Sequence, residues 1–223
     1  MGRRLVGWAG EVLVTLGVLL LLFVAWQLWW TDVVAERDAA RVVEQLRADF
    51  AGGPVAEGDG APVTDLPGDA VALLHVPRFG ADWVRPVLED TGPEVLATGV
   101  GHYVGTAGPG EVGNFAVAGH RTTWGRPFHD IDRLRAGDRV VVETAEHVYV
   151  YAVTGHEVVP PTDVAVIAAV PDDPGATPEQ PLLTMTSCHP RYSAAQRYVV
   201  HAALAQTLDP ADLDTALASA TEG

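Results

Sequence analysis

The sequence contains no lysine: all 14 basic residues are arginines, against 29 acidic residues and a formal net charge of -15. The absence of lysine excludes Schiff-base and lysine general-base chemistry. Serine is limited to Ser187, Ser193 and Ser219, and no G-x-S-x-G motif contains any of them, which argues against a hydrolase of the nucleophile-elbow type. Because nucleic-acid affinity depends largely on basic residues, this acidic chain is not expected to bind nucleic acid.

Cysteine is also scarce, since Cys188 is the single cysteine among 223 residues. No disulfide can therefore form within the chain, and Cys188 is either a quiet core residue or a thiol kept for reactivity. The 48% of hydrophobic residues supply a core, while 23 glycines and 16 prolines favour a turn-rich β fold over a helical bundle.

An apolar run from Leu5 to Trp30 is long enough to cross a bilayer core of about 30 Å. Two arginines precede the run and three tryptophans close it: Arg3, Arg4, Trp26, Trp29 and Trp30. The positive-inside rule predicts a cytoplasmic N-terminus and residues 31–223 outside the cell membrane. A cleaved signal peptide is the alternative, with a weak cleavage site at residues 33–35, but the length of the run favours an uncleaved single-pass anchor.

The rest of the chain divides by composition. Residues 32–50 place apolar side chains at spacings of three and four, which predicts a helix, either packed on the following domain or continuing the membrane helix into solvent. Residues 51–68 are rich in Gly, Pro and Asp and predict a flexible linker. We therefore divide the chain into residues 1–31 (cytoplasmic tip and anchor), 32–68 (stalk and linker), 69–208 (globular domain) and 209–223 (C-terminal tail).

The globular domain is predicted to be mainly β. Short helices are expected at Glu94–Gly99 and Asp130–Leu134, and residues 159–180, with five prolines, predict a long loop. Short Val-rich and Tyr-rich runs separated by Gly and Pro predict a barrel or a sandwich. The predicted strands are Ala70–Val76, Trp83–Val87, Asn114–Gly119, Arg139–Thr144, His147–Thr154, Leu182–Ser187 and Tyr198–Leu204.

Two predicted strands end in residues that suit nucleophilic catalysis. Cys188 follows one of them, and Arg197, nine residues later at the start of the next strand, is a permanent cation that favours a thiolate and stabilises an oxyanion. His120 ends the other strand and suits a general acid/base. Each residue also has a structural alternative: core filler, structural histidine and surface charge. A metal pair of Cys188 and His189 lacks support, because no H-E-x-x-H or C-x-x-C motif accompanies it.

The two blocks together resemble a known family. Residues 182–190, read with Arg197 in the form C-H-P-x-x-S-x-x-Q-R, resemble the sortase signature T-L-x-T-C, most closely that of class E and less that of class D. Residues 102–121 resemble the histidine region of the same family, and residues 133–138 resemble the segment that follows it. The signature departs at two positions: Met185 replaces its Leu, and Ser187 replaces the Thr before the cysteine.

The resemblance implies an eight-stranded sortase-type β-barrel with short helices behind a membrane anchor, as in Gram-positive bacteria. It implies Cys188 as nucleophile, His120 as acid/base and Arg197 as oxyanion and substrate-positioning residue. Tyr103, Thr186 and Ser187 are the implied substrate-binding residues. No cofactor and no metal are implied, and calcium dependence stays open.

The implied reaction cleaves an L-A/P-x-T-G sorting signal of a secreted protein between Thr and Gly. The resulting thioester on the cysteine is then transferred to an amine of a cell-wall precursor. Two other functions stay open: a cysteine endopeptidase that uses water at the same site, and a catalytically idle membrane-anchored barrel that binds partners.

Overall fold

The computed structural model describes residues 2–52 and 69–221, and its first element is a continuous helix, α1 (Gly2–Phe50). Among the described residues, α1 is the one helix whose length and composition suffice to cross a membrane. This agrees with the predicted N-terminal transmembrane segment. Residues 53–68, most of the predicted linker, lie outside the described residues.

Eight strands in the described part of the globular domain form one closed barrel, so the predicted barrel is confirmed. Around the barrel their order is β1-β2-β3-β4-β7-β8-β6-β5, with β2/β3 and β4/β7 parallel and the other pairs antiparallel. The strands are β1 (Ala70–His75), β2 (Val84–Glu89), β3 (Val100–His102), β4 (Gly113–Ala118), β5 (Arg139–Glu143), β6 (Val148–Val159), β7 (Pro181–His189) and β8 (Gln196–Leu208).

Alternation of side chains along the strands fills the barrel interior. Of every two successive residues in a strand, one points inward and is almost completely excluded from solvent. The interior includes Leu74, Val87, Phe115, Val117, Tyr151, Met185 and Val200. The opposite face of β4, β7 and β8 therefore points away from the core.

Two short helices cover parts of the barrel: α2 (Pro93–Thr98) and α3 (Leu213–Thr221). The sequence pattern leaves the second of these inside a C-terminal tail. In the structure Ala216 and Ala220 are buried against Val148 and Val150 of β6. Their spacing of four residues places both on one helix face, which explains how such a short segment docks.

The second half of α1 is packed on the domain and is continuous with the apolar half, which combines the two alternatives left open by the sequence. Val42, Val43 and Leu46 of α1 are buried, and they pack against side chains of β1 and β2 that include Leu73 and Leu88. Burial of such side chains stabilises the contact by about 1.5–3 kcal/mol each.

Candidate active site

Strands β7 and β8, with the segment that follows β4, bring the predicted catalytic residues into one row. Strands β4 and β7 run in parallel, and beyond β4 the Gly119 amide donates to the Thr186 carbonyl at 3.1 Å. Extended by two residues beyond the last pair, Ala118 with Thr186, this register brings His120 beside Cys188. On the other side of β7, Cys188 is the cross-strand partner of Arg197 in β8. Because neighbouring strands lie about 4.8 Å apart, the three backbones fall within about 10 Å.

The row lies on the outer face of the barrel. Met185 and Val200 point into the core, and each stands three residues from a member of the row, so Cys188 and Arg197 point to the opposite face. His120, Cys188 and Arg197 are all partly exposed. The backbone of Cys188 is therefore held by strand pairing, and its thiol is open to a substrate on the outer face.

Electrostatics favour an uncharged imidazole in the row. Partial burial lowers the pKa of His120 below its usual value. Desolvation has this sign because removing water disfavours the charged imidazolium. A neutral imidazole accepts a proton, which is the property required of a general base.

The guanidinium of Arg197 is oriented by the turn that precedes it. One terminal nitrogen donates to the carbonyls of Ala194 and Gln196, both at 3.1 Å. Arginine carries five N–H donors, and these two bonds involve a single nitrogen, so the group keeps donors for an oxyanion.

Gly119 determines how closely the segment just before His120 approaches the ring of Phe128. A Cβ atom at this position would lie 2.7 Å from the ring of buried Phe128. The Phe128 amide donates to the His120 carbonyl at 3.0 Å, which fixes the chain just past the histidine. Glycine is required here because a side chain would push Phe128 away from that bond.

The three predicted substrate-binding residues lie on two different faces. The Tyr103 hydroxyl lies 3.0 Å from Thr186 Oγ1, and Thr186 donates to the Val117 carbonyl at 3.3 Å. Tyr103 is partly exposed and Thr186 is buried. Ser187 is 3% exposed, and its hydroxyl donates to the Gly119 carbonyl at 2.8 Å. Ser187 therefore links β7 to the chain just before His120 and does not reach the outer surface.

The structure adds Arg121, to which sequence reasoning assigned no role. It is 2% exposed, and its guanidinium donates to the Cys188 carbonyl at 3.3 Å and to Nδ1 of His189 at 3.0 Å. It also forms an ion pair with Asp132 at 2.8 Å, and Asp132 accepts from Arg191 at 3.2 Å. Arg121 thus holds the end of β7 against the segment that follows β4. The available signal was its position directly after His120.

Replacing Arg121 with glutamine should lower both stability and activity. The change removes the buried donor of the Cys188 carbonyl, while Asp132, which is 37% exposed, keeps its contact with Arg191, so the expected cost in the free energy of unfolding is about 1–3 kcal/mol. We expect kcat to fall about tenfold because the backbone of Cys188, and with it the thiol, is less well positioned. Urea unfolding and peptide kinetics measure the two effects.

The matched control is Arg133→Gln, because Arg133 forms an exposed ion pair with Asp130 at 3.3 Å. Such pairs contribute less than about 1 kcal/mol, so this variant should behave as wild type. Equal stability and kcat for the Arg121 and Arg133 variants would contradict the positioning role.

A second group of polar residues lies on the same outer face. Ligand atoms of Glu157, Asp172 and His201 fall within 4.8 Å of one another, a geometry that could hold a metal ion. His201 Nε2 lies 3.0 Å from Glu157 Oε1, and burial, then the charge of Glu157, raise the pKa of Asp172. His201 stands four residues from Arg197, or about 13 Å along the strand, so the group is separate from the row.

The barrel domain matches a family of known proteins. The family profile described as the sortase domain matches residues 74–205. Sortase SrtE1 of Streptomyces coelicolor is 39% identical over 199 residues, which cover 86% of this chain and 54% of that protein. The chain therefore spans about half the length of that relative.

Solved structures share the fold over the barrel. Sortase E from Streptomyces avermitilis superposes with a TM-score of 0.58 at 45% identity, covering 64% of this chain and 91% of that one. Sortase E1 from Streptomyces coelicolor, solved with a tripeptide in its active site, gives a TM-score of 0.60 at 33% identity. That match covers 66% of this chain and 94% of the other.

Proposed function

The chain belongs to the sortase family and resembles its class E, and from that premise we propose that it is a cysteine transpeptidase. Cys188 is the nucleophile, His120 the general acid/base and Arg197 the oxyanion-stabilising residue. The observation that carries this proposal is the direct pairing of Cys188 with Arg197, with the segment of His120 following β4 beside β7.

The row supplies what each half of an acyl transfer needs. His120 takes the proton of the Cys188 thiol, and the sulfur attacks the carbonyl carbon of the substrate Thr, which opens the C=O π bond and forms a C–S bond and an oxyanion that the Arg197 guanidinium stabilises. The C–N bond to Gly then breaks, and the leaving amine takes a proton from His120. An incoming amine loses a proton to His120, forms a new C–N bond and breaks the C–S bond, which restores the thiolate.

Arg197→Gln should lower kcat/KM by about 10²–10³-fold, because it removes the charge that faces the developing oxyanion. Arg197→Lys should recover part of the loss, since lysine keeps the charge but not the planar fork. Arg139→Gln, in β5, serves as the control and should leave the rate unchanged. Steady-state kinetics with one peptide measure all three variants, and full activity in Arg197→Gln would remove this residue from the mechanism.

We propose a peptide substrate of the L-A/P-x-T-G type. A relative holds a tripeptide in its active site, which supports a peptide beside Cys188 here. Class E resemblance favours Ala after Leu. The hydrogen bond between Tyr103 and Thr186 lies two residues before Cys188 on the outer face, where the residues upstream of the scissile bond would bind.

Tyr103→Phe should change the ratio of kcat/KM for Ala and Pro peptides by about fivefold, the effect of losing one hydrogen bond of about 1 kcal/mol. The change keeps the ring and deletes only the hydroxyl that contacts Thr186. Tyr149→Phe, at the far end of β6, is the control. Competition assays with both peptides in one reaction measure the ratio directly, and an unchanged ratio would remove Tyr103 from substrate selection.

An N-terminal apolar helix in a sortase fits a membrane-anchored protein. We propose that residues 1–31 anchor it in the cell membrane with the N-terminus cytoplasmic, as the arginines at positions 3 and 4 indicate. Residues 32–68 then form the helix that packs on the domain and the linker, residues 69–208 the catalytic domain and residues 209–223 its C-terminal segment. The proposed partners are secreted proteins with C-terminal sorting signals and an amine of a peptidoglycan precursor.

Product analysis separates the three candidate functions. The full chain in detergent is incubated with an L-A-E-T-G peptide and an excess of glycine oligomer, and products are identified by mass spectrometry. Transpeptidation predicts a product in which Thr is joined to the oligomer, with turnover that rises with amine concentration. Products of hydrolysis alone would favour an endopeptidase. No reaction on Ala and Pro peptides, with a folded chain, would favour the idle barrel.

A further inference from the structure

Helix α1 contacts the loop that carries the proposed acid/base. We define the His120 loop as residues 120–127. Its Gly125 amide donates to Asp32 Oδ1 at 3.2 Å, and Arg126 Nε pairs with Asp32 Oδ2 at 3.3 Å. A Cβ atom at Gly125 would lie 3.5 Å from Cγ of Glu36, so the loop backbone lies directly on the helix. The His120 loop therefore contacts α1 at the position of Asp32 along the helix axis.

Helix geometry gives the distance between the Asp32 contact and the tryptophans that end the apolar run. Asp32 stands two residues after Trp30 and six after Trp26, and each residue of an α-helix advances about 1.5 Å. The Asp32 contact is therefore about 3 Å along the helix axis from one tryptophan and about 9 Å from the other. Tryptophans at the end of an apolar span mark the headgroup region of a bilayer. The His120 loop is thus placed beside that region.

The packing of α1 on the domain fixes the position of the whole barrel along the helix axis. Val42, Val43 and Leu46, further along the same helix, are buried against β1 and β2. The helix therefore contacts the domain both near Asp32 and about 15–20 Å further on. Two separated contacts limit tilting of the barrel relative to the helix axis.

The loop also exposes a side chain that suits this environment. Trp124, directly before Gly125, is 42% exposed and adopts a backbone φ of 54°. Indole combines a large apolar surface with one N–H donor, which favours the boundary between lipid and water. The chain carries a net charge of -15, so a general attraction to anionic lipid does not explain an approach to the membrane.

We propose that the His120 loop is a membrane-contact surface, with Trp124 seated in the lipid headgroup region beside α1. The inference rests on the proposed function in one respect, since it requires α1 to span the bilayer. Its consequence is that the row of His120, Cys188 and Arg197 opens close to the membrane surface. Substrates tethered to the same bilayer would reach it without leaving that surface.

Nitroxide quenching in vesicles tests the contact. In the full chain carrying Cys188→Ala, a bimane label is placed at Trp124→Cys, at Ala145→Cys or at Leu20→Cys. Ala145 lies in the β5–β6 turn, beyond the end of β6 opposite to Arg197, and is the matched exposed control. Leu20 lies in the apolar half of α1 and reports insertion. Phosphatidylcholine vesicles carry nitroxide near the headgroup or deep in the acyl chain.

We expect headgroup nitroxide to quench the Trp124→Cys label about threefold more than the Ala145→Cys label, because the interface lies at that level. Phosphatidylglycerol should change this little. A quenched Leu20→Cys label with equal, weak quenching at positions 124 and 145 would overturn the inference and leave the transpeptidase proposal intact. An unquenched Leu20→Cys label would refute the anchor and, with it, the membrane contact.

A kinetic arm separates lipid contact from peptide binding. Trp124→Ser in the full chain should lower turnover of a peptide tethered to the same vesicle about fivefold, because loss of the interfacial side chain loosens the approach to the surface. Turnover of the free peptide should stay at the wild-type level. Equal losses on free and tethered peptides would assign Trp124 to the peptide groove and would contradict the membrane role.

Discussion

Replacing Cys188 with alanine is expected to lower peptide turnover by about 10⁴-fold or more. Removal of the nucleophile from a residue set that acts as a unit costs losses of this order or greater. Cys188 is the single cysteine of the chain, so no neighbouring thiol can substitute for it. The loss should appear in kcat, because none of the residues proposed to bind the peptide is changed.

The fold should tolerate this change. Cys188 is partly exposed at the end of β7, and its backbone pairing with Arg197 does not involve the sulfur. We therefore expect the free energy of unfolding of Cys188→Ala to stay within about 1 kcal/mol of wild type. Turnover is followed by chromatography and stability by urea unfolding. A variant that folds normally and retains more than a few per cent of wild-type turnover would refute the nucleophile assignment.

The second large effect is expected for His120→Gln, which should lower kcat/KM by about 10²–10⁴-fold. Glutamine keeps polarity and approximate length but cannot transfer a proton. His147→Gln, in the turn region at the far end of the barrel, is the matched control and should retain full activity. A loss common to both variants would point to a general effect on folding.

The pH dependence gives this prediction a sign. Burial lowers the pKa of His120, so the folded state binds its proton less readily than the unfolded chain does. Relative to His120→Gln, the contribution of the His120 side chain to the free energy of unfolding should therefore be fully present above the ordinary histidine pKa of about 6.5. It should decline as pH falls below that value. NMR titration of labelled histidines, with the variant used for assignment, should give a midpoint below 6.5 for His120. A midpoint above that value would contradict the assigned environment.

Local sequence patterns predicted most of the barrel strands, because alternation of apolar and polar residues is a local signal. β3, with three residues from Val100 to His102, is too short to show alternation. Helix α3 was also missed, since small alanines carry its buried face and give a weak apolar pattern. Both elements are defined by what they pack against.

The site divides in the same way. Cys188, His120 and Arg197 were selected from strand ends and a family resemblance, both readable in the sequence. Arg121 was not selected, because its partners at Cys188 and Asp132 come from distant segments. No local pattern reveals that β4 and β7 pair in parallel across 68 residues. The contact of Asp32 with the His120 loop likewise depends on how α1 docks, which the sequence left open.

The measurement that tests the central claim most directly is the intact mass of the enzyme during turnover. The full chain is mixed with an L-A-E-T-G peptide without added amine, quenched in acid within the first turnover, and analysed by mass spectrometry with peptide mapping. We predict an added mass equal to the peptide up to its Thr, located on Cys188 and released by hydroxylamine as a thioester requires. Cleavage of the peptide with no such adduct on Cys188, or with an adduct on another residue, would contradict the account.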